Sequence, residues 1–267
     1  TEKDALLGIG QTGIASTKVL SYDLEEAARF ATSMNIGVSD SIGINHAARV
    51  TCVKPSGTTS CVLGCSSGIH AWYNDYYLRT IRFGKSEEIA RYMQEKHPEL
   101  CEDDILRPHD TLCVRFPIKA PEGSIFTTES ALDTLERVKK FSQQWIKPGH
   151  NNGENTHNVS ATIYIDKNKT YMYPLDKFVH EVEYWDEWKE VGNWMWENRE
   201  VYNGLSVLPK DGGSYKQTPF ENITKEEYER RIEFIHDLDL TQVIEHDDNV
   251  QFGQVAACSG SQCEINV

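Results

Sequence analysis

The feature that most constrains the fold is strict alternation between residues 158 and 166. Val159, Ala161, Ile163 and Ile165 are apolar, and the residues between them are more polar. Because successive side chains of a strand point to opposite faces, this pattern predicts a strand with one buried face. Such a face has to be covered by another layer of structure.

Helical periodicity provides that layer. Residues 23–35 and 130–147 each repeat apolar residues at the spacing of a half-buried helix, and Pro148 and Gly149 end the second segment. Thr224 and Glu227 form the pattern of a capping box, which predicts a late helix over residues 224–236. The apolar positions of the first two segments are Leu24, Ala27, Ala28, Ala31 and Met34, then Leu132, Leu135, Val138 and Trp145. This mixture predicts an α/β domain with helices covering a sheet.

Composition excludes several classes of function. The chain has 267 residues, of which 39% are hydrophobic and 25% charged, as in ordinary globular proteins. Its formal charge of −14 argues against a nucleic-acid partner, since phosphate backbones are bound by clustered lysine and arginine. No apolar run has the length of a membrane span, and no signal-peptide pattern opens the chain. We therefore expect a cytoplasmic protein without membrane contact, and Thr1 in place of methionine is expected of a fragment.

The cysteines favour the same compartment. There are seven, an odd number, scattered along the chain: Cys52, Cys61, Cys65, Cys101, Cys113, Cys258 and Cys263. An odd, scattered set without an export signal predicts reduced thiols rather than a disulfide framework.

Residues 8–13 fit the dinucleotide-binding pattern G-x-G-x-x-G. That fingerprint requires a preceding strand and an acidic residue about twenty positions later. Only Ala5, Leu6 and Leu7 precede it, and no suitable acidic residue follows. A glycine-rich turn near a site, or a packing contact, is the favoured interpretation.

A candidate phosphate-binding loop follows the short β-branched run that begins at Val50. Glycine allows close approach of the backbone to a ligand, and successive N–H groups can bind an anion. The ending G-K-[ST] of a Walker loop is missing, so an ordinary turn with a hydroxyl cap is an equal alternative on these residues alone. The candidate residues are Pro55, Ser56, Gly57, Thr58, Thr59 and Ser60.

Residues 64–72 form a second glycine-bracketed loop. Cys61, Cys65 and His70 raise the possibility of zinc. Zinc sites normally have four ligands in paired short spacings, and no second pair lies at a suitable distance. Buried thiols are the favoured interpretation.

The last cysteines form a Cys-x₄-Cys pair, Cys258 and Cys263, in a polar stretch without helix or strand periodicity after about residue 245. A mobile, accessible dithiol is suited to thiol–disulfide exchange. Two accidental surface cysteines are the alternative. The aromatic block at residues 184–196 is interpreted as core, because aromatic residues at helical spacing are usually packed.

Taken together, these segments resemble the class II, adenosylcobalamin-dependent ribonucleotide reductases, especially the monomeric type that acts on ribonucleoside triphosphates. The matching pieces occur in the family's order. They are residues 8–13, 54–58, 67–70, 155–160 and 194–209 and the terminal Cys-x₄-Cys. The Pro-Ser-Gly-Thr loop combined with the terminal dithiol is the most specific part of this resemblance.

The resemblance implies a fold and a division of the chain. The family fold is a ten-stranded α/β barrel whose finger loop carries a radical cysteine in an Asn-Pro-Cys-Gly-Glu motif. That motif is missing from this sequence, so residues 1–245 are expected to form the C-terminal portion of the barrel. Residues 246–267 are expected to form a flexible redox-active tail. The N-terminal portion of the reductase is then an expected partner, supplied as another polypeptide or by an undivided parent chain.

The resemblance also implies a function. Ribonucleoside triphosphates, or diphosphates, would be reduced to deoxyribonucleotides by radical chemistry, with adenosylcobalamin as cofactor of the complete enzyme. Residues 55–60 would bind the substrate phosphates. Cys258 and Cys263 would reduce the active-site disulfide and would be reset by thioredoxin. No protein metal ligand is expected.

Two other classes remain open at this point. A stand-alone nucleotide-binding module would bind nucleotide at equilibrium without stimulation by any partner. A dithiol carrier would exchange disulfides without nucleotide, although no C-x-x-C at a helix start is present.

Overall fold

The computed structural model describes residues 5–16, 18–174, 182–210 and 217–244, and the backbone of 258–259 and 262–263. The described residues form two compact units. Unit 1 contains residues up to 72 and from 122 to 210, and unit 2 contains residues 73–121 and 217–244. The expected division at residue 245 falls outside the described part of the chain.

The strands of unit 1 are β1 (Leu6–Gln11), β2 (Arg49–Val53), β6 (Thr162–Ile165), β7 (Thr170–Pro174), β8 (Val182–Asp186) and β9 (Ser206–Pro209). Its helices are α1 (Leu24–Ile42), α2 (Gly57–Val62), α4 (Ala131–Phe141) and α5 (Glu187–Glu197). Unit 2 contains β3 (Tyr76–Gly84), β4 (Cys101–Asp103), β5 (Thr111–Lys119), β10 (Phe220–Asn222), α3 (Glu88–Lys96) and α6 (Lys225–Ile232). The short strands β11 (Cys258–Ser259) and β12 (Gln262–Cys263) pair with each other.

Parallel strands organise unit 1. β1 pairs with β2 in parallel, and β6 pairs with β9 in parallel. A parallel bridge between Val53 and Val159 joins the two pairs, and the Ser160 backbone N–H donates to the Val53 carbonyl at 3.0 Å. Parallel neighbours need long crossover connections. Helix α1 lies in the connection from β1 to β2, which makes β1–α1–β2 a crossover unit.

The alternating segment is a strand with one buried face, as its sequence predicts. Val159, Ala161, Ile163 and Ile165 are all buried in the core of unit 1. The regular strand is shorter than the alternation and begins at Thr162. Leu135, Val138, Phe141 and Trp145 from helix α4 and the turn after it belong to the same core, so a helix layer covers the strands.

Helix α4 begins and ends where the sequence predicts. The Ser130 hydroxyl accepts from the Asp133 backbone N–H at 3.1 Å, and the Asp133 carboxylate accepts from the Ser130 N–H at 3.0 Å, which completes a capping box. The helix continues as one π-helical stretch over Ser142–Ile146. Proline at position 148 ends it, because proline has no N–H to continue the helical bonds.

Helix α1 is longer than its predicted span, and its buried face differs from the predicted one. The Asp23 carboxylate caps its first turn by accepting from the Glu26 N–H at 2.9 Å. Gly43, with a φ of 72°, ends it in the left-handed conformation that favours glycine. Leu24 and Ala28 are buried as expected, but Ala27 and Met34 are exposed. The apolar residues of this helix therefore extend beyond the part of its surface that other described residues cover.

Unit 2 is an antiparallel sheet in the order β10–β3–β5–β4. Its small core contains Met93 and Ala90 of α3 and Leu112 and Val114 of β5. At one end of the sheet the buried Asp104 carboxylate accepts from the Arg82 guanidinium at 2.7 Å. Burial opposes ionisation of Asp104, but this bond and the backbone N–H groups of Arg107 and Leu106 hold its pKa below the ordinary value.

The late helix carries half of the predicted capping box: the Thr224 hydroxyl accepts from the Glu227 N–H at 3.2 Å, whereas the Glu227 carboxylate accepts from Arg230 and Arg231. Helix α6 ends at Ile232, before the predicted end at residue 236. Within the described residues, no helix is long and apolar enough to cross a membrane. The α/β class expected from the sequence is confirmed by this mixture of helices and strands.

Candidate functional site

The candidate site lies at the carboxyl ends of two neighbouring parallel strands. β1 ends at Gln11 and β2 ends at Val53, and these two residues are directly opposite in the register. Thr12 therefore follows one strand beside Lys54, which follows the other. In α/β proteins, ligands bind at the carboxyl ends of parallel strands, where the loops converge. The predicted phosphate loop thus begins at the edge where a ligand is expected.

Hydroxyl groups from the two strand ends are joined to each other. The Thr12 and Ser56 hydroxyls are hydrogen-bonded, and the Gly68 backbone N–H donates to both, at 3.0 Å to Thr12 Oγ1 and 3.3 Å to Ser56 Oγ. The Thr12 hydroxyl also donates to the Ser66 carbonyl at 3.2 Å. Sequence reasoning missed Thr12. Its position directly after a glycine-rich strand was the signal that could have found it.

Helix α2 provides the rest of the loop. Pro55 and Thr59 are exposed, and Ser56 and Gly57 are half-buried. Ser60 is buried, and its hydroxyl donates to the Ser56 carbonyl and, at 3.1 Å, to the Gly57 carbonyl. Ser60 therefore holds the turn from inside. The backbone of Thr58 lies in the first turn of α2, but its side chain is outside the described set.

Lys54 places a positive charge beside the loop. It is exposed, and no ion pair joins it to a carboxylate among the described residues. Its Cε lies 3.8 Å from the point where a Cβ on Gly10 would be, so the lysine stem passes over a residue without a side chain. In a chain of net charge −14, this local cation makes the strand edge more favourable for an anion.

Gly68 is required by the geometry of the loop. Its φ is 54°, and a Cβ on it would lie 2.6 Å from the Lys54 carbonyl oxygen. We expect Gly68→Ala to destabilise the protein by about 1–3 kcal/mol, because a left-handed conformation and a backbone clash are imposed together. Thermal unfolding of the isolated chain measures this effect. Gly204→Ala is the matched control, since an added Cβ at Gly204 contacts nothing within 4 Å. Equal stability of the two variants would contradict the assigned role of Gly68.

The sequence left a glycine-rich turn or a packing contact open for residues 8–13, and the structure shows a strand up to Gln11 with a left-handed turn residue only at Gly13. Gly8 and Gly10 lie within β1, and only Gly13 has a left-handed φ, 68°. The Cys52 sulfur lies 3.4 Å from the position of a Cβ on Gly8 and 3.7 Å from that on Gly10. Burial raises the pKa of the Cys52 thiol, and the nearby charge of Lys54 partly opposes this. The glycines make room for neighbouring side chains, which is a packing contact.

His70 in the second loop is structural. Its Nδ1 is 3.1 Å from the Ser67 carbonyl, and its Nε2 accepts from the Thr162 N–H at 3.0 Å. Burial lowers the pKa of this imidazole. The charge of Arg137 also lowers it, and the hydrogen bond to Ser67 opposes both effects. Both ring nitrogens are therefore used, and His70 is not available as a zinc ligand.

Arg137 supports the same loop. Its guanidinium donates to the Ile69 carbonyl at 3.2 Å and forms a two-point ion pair with the Glu129 carboxylate, at 2.8 and 2.6 Å. Both side chains are largely buried. A buried charge is costly unless paired and hydrogen-bonded, and here both conditions are met. This pair fixes helix α4 to the loop that carries Gly68.

The remaining thiols described in unit 2 are unreactive. Burial raises the pKa of Cys101 and of Cys113 to about 11 each, so both are protonated at neutral pH. Within the described part of the chain, no group of three or more histidine, cysteine or acidic side chains could hold a metal ion.

The aromatic block is only partly core. Trp194 is buried, but Tyr184, Trp188 and Trp196 are exposed. The interpretation of this block as core is therefore wrong for three of its members.

The two tail cysteines are described only by their backbone. Cys258 and Cys263 are direct partners in an antiparallel pair, with Ser259 opposite Gln262. Directly opposed residues of such a pair have Cα atoms about 4.5–5.5 Å apart, within the range that a disulfide requires. The rest of the predicted flexible tail lies outside the described residues.

Comparison with known proteins defines the class of fold first. A crystal structure of a B12-dependent (class II) ribonucleotide reductase matches the chain with a TM-score of 0.66 and 23% identity. The match covers 91% of this chain and 35% of that protein. The parallel strands of unit 1 and the loop at their carboxyl edge thus belong to a fold that occurs in a ribonucleotide reductase.

Sequence comparison then identifies the relatives. The chain is 30% identical over 233 residues to the adenosylcobalamin-dependent ribonucleoside-triphosphate reductase of Lactobacillus acidophilus. It is 28% identical over 230 residues to that of Lactobacillus gasseri and 26% identical over 244 residues to that of Euglena gracilis. No family model matches the chain. The resemblance predicted from the motifs is confirmed: the chain is a homologue of a segment of the adenosylcobalamin-dependent ribonucleoside-triphosphate reductases.

The match covers the two proteins unequally. It extends over 85% of this chain but over only 28% of the Lactobacillus acidophilus reductase. The chain therefore spans less than a third of the length of the relatives that it matches.

Proposed function

We propose that this chain works as part of an adenosylcobalamin-dependent ribonucleotide reductase in the cytoplasm, where it binds the substrate phosphates and supplies the reducing dithiol. The observation that carries the proposal is the position of the loop at residues 54–60. It lies at the carboxyl edge of parallel strands, in a chain that is similar over 85% of its length to such a reductase. Ribonucleoside triphosphates are the favoured substrates, because the relatives carry that name.

Phosphate binding is assigned to the turn that begins helix α2. Pro55 and Ser56 bring the chain from β2 into the first turn at Gly57–Thr59. The first turn of a helix presents backbone N–H groups that can donate to phosphate oxygens. Lys54 adds a cation, and Ser60 holds the turn from inside. Internal hydrogen bonds keep Ser56 fixed before substrate arrives, so little ordering of the loop is needed on binding.

Reduction is assigned to Cys258 and Cys263. One thiolate attacks the active-site disulfide and forms a mixed disulfide, and the second thiolate then displaces the active-site sulfur. The net result is an active-site dithiol and a Cys258–Cys263 disulfide, and two electrons have been transferred. Reduced thioredoxin would restore the tail dithiol by the same exchange. The direct pairing of the two residues is compatible with a disulfide between them.

The complete enzyme needs a further portion, which we call the radical-site segment: the part of the reductase that carries the Asn-Pro-Cys-Gly-Glu motif. Among the described residues, no strand pairs with the outer edge of β1, and Leu6, Leu7 and Ile9 on that strand are exposed. A parallel sheet is normally covered on its faces and continued at its edges. We propose that the radical-site segment adds a strand at β1 and completes the barrel.

Adenosylcobalamin would supply the radical chemistry when bound by the complete enzyme. The described residues offer no cluster of metal-binding side chains. The role of this chain would be to position the nucleotide and to supply electrons to the active-site disulfide.

The phosphate loop is tested by Gly57→Val and Thr58→Glu in the assembled enzyme. A β-branched side chain blocks close backbone approach, and a carboxylate repels phosphate. We expect kcat/KM to fall by at least about 100-fold, as when several charge-assisted hydrogen bonds are lost. The melting temperature should shift only as for a surface-loop substitution.

The control for this test is Gly192→Val on helix α5. Gly192 is exposed, and an added Cβ there contacts nothing within 4 Å. Normal turnover by the Gly57 and Thr58 variants would show that the loop does not bind phosphate. A loss of turnover that accompanies unfolding would indicate a structural role instead.

A further inference from the structure

Helix α1 carries a row of large apolar side chains that the described chain leaves uncovered. Phe30, Met34, Val38 and Ile42 are 67%, 51%, 51% and 62% exposed. They are spaced by four residues and so form one ridge along the helix. Isolated apolar residues are common on protein surfaces, but a continuous ridge marks an interaction surface.

A row of small residues lies beside this ridge. Ser33, Gly37 and Ser41 are exposed and have the same four-residue spacing. An added Cβ at Gly37 would contact nothing within 4 Å, so this chain does not need glycine there. Glycine in the middle of a helix lowers stability. A ridge beside a shallow groove is the surface on which a second helix packs.

The topology indicates where that second helix comes from. Helix α1 is the crossover between the parallel strands β1 and β2. A further parallel strand at the outer edge of β1 would need its own crossover, usually a helix, in the layer beside α1. The matched reductases are more than three times longer than the segment that this chain matches, since it covers 28% of the Lactobacillus acidophilus protein.

We propose that the α1 ridge, Phe30, Met34, Val38 and Ile42, docks against an amphipathic helix of the radical-site segment, with Gly37 in the groove that receives it. This inference rests on the proposed function, because it takes its partner from there. It adds a second contact surface to the strand pairing at β1. The surface is apolar and flanked by serines, so the partner face is apolar as well.

The test compares two glycines in matched settings. Gly37→Leu fills the groove on α1, and Gly192→Leu makes the same change at an exposed glycine of α5 where an added Cβ also contacts nothing. Both variants should unfold at or above the wild-type temperature, because glycine is removed from a helix. Calorimetry with the radical-site segment, expressed as a separate polypeptide, should show at least tenfold weaker binding for Gly37→Leu and unchanged binding for Gly192→Leu. Val38→Asp should weaken binding similarly.

Each outcome separates this inference from the proposed function. If Gly37→Leu and Val38→Asp bind like wild type, the docking surface is refuted and the reductase assignment stands. If both variants bind weakly but the wild-type mixture forms no deoxynucleotide, the surface stands and the function fails. Absence of wild-type binding refutes the surface. Another possible occupant of the ridge is a second copy of this chain, and sedimentation of the chain alone tests for it. If the chain forms a dimer that Val38→Asp disrupts, the ridge is a dimer interface and the proposal is wrong.

Discussion

The isolated chain is expected to form deoxynucleotide only at the background rate. Addition of the radical-site segment is expected to raise product formation above that background. None of the cysteines outside the tail lies in an Asn-Pro-Cys-Gly-Glu motif. The measurement is deoxynucleotide formation with adenosylcobalamin, ribonucleoside triphosphate and a small dithiol, with and without the radical-site segment.

Binding between the chain and the radical-site segment is measured alongside product formation. Formation of a complex by sedimentation, with β1 protected from amide hydrogen exchange, would support strand pairing at the open edge. The opposite result is equally clear. A chain that is monomeric, well folded and catalytically competent by itself would refute both the proposed need for a partner and the assignment of the radical site to another segment. Nucleotide binding that no partner stimulates would favour a simple binding module.

The second large effect is expected at the tail. Cys258→Ser or Cys263→Ser should abolish multiple turnover driven by thioredoxin, because a single thiol cannot complete the exchange and release the active-site dithiol. A single turnover should survive, as should turnover with a small dithiol that reaches the active-site disulfide directly. Initial rates with the two reductants, measured on the same assembled enzyme, separate these steps.

Cys101→Ser provides the matched control. Cys101 is half-buried in unit 2, and burial raises its pKa to about 11, so its loss should leave both rates unchanged. Equal loss with thioredoxin and with the small dithiol in the tail variants would show that Cys258 and Cys263 have another function. Disulfide exchange by the chain without nucleotide or partner would instead favour a dithiol carrier.

Local patterns predicted the elements whose cause is local. The alternation at 159–165, the start of helix α4 after Ser130 and the Thr224 N-cap of α6 were found where the sequence places them. Backbone periodicity and hydrogen bonds to the next few residues determine these features. At residues 8–13 the sequence predicted a turn or a packing contact but not strand β1, because a strand with few side chains has no alternation to reveal it.

Burial of apolar residues could not be predicted in the same way. The sequence assigns one apolar face to α1, but only part of that face is covered. The exposed tryptophans at 188 and 196 were expected in the core for the same reason. Apolar spacing shows which residues favour burial, and only the packing partners decide which of them are buried.

The sequence by itself determined the α/β class, the glycine and hydroxyl loop after β2, the terminal cysteine pair and the relationship to the ribonucleotide reductases. These depend on residue order and short spacings. Only the tertiary structure decided that Thr12 and Gly68, 44 and 12 residues from Ser56, share its hydrogen bonds. It also decided that Gly68 has to be glycine because the Lys54 carbonyl is 2.6 Å from its would-be Cβ. Contacts between distant segments arise from strand register and packing, which no local pattern encodes.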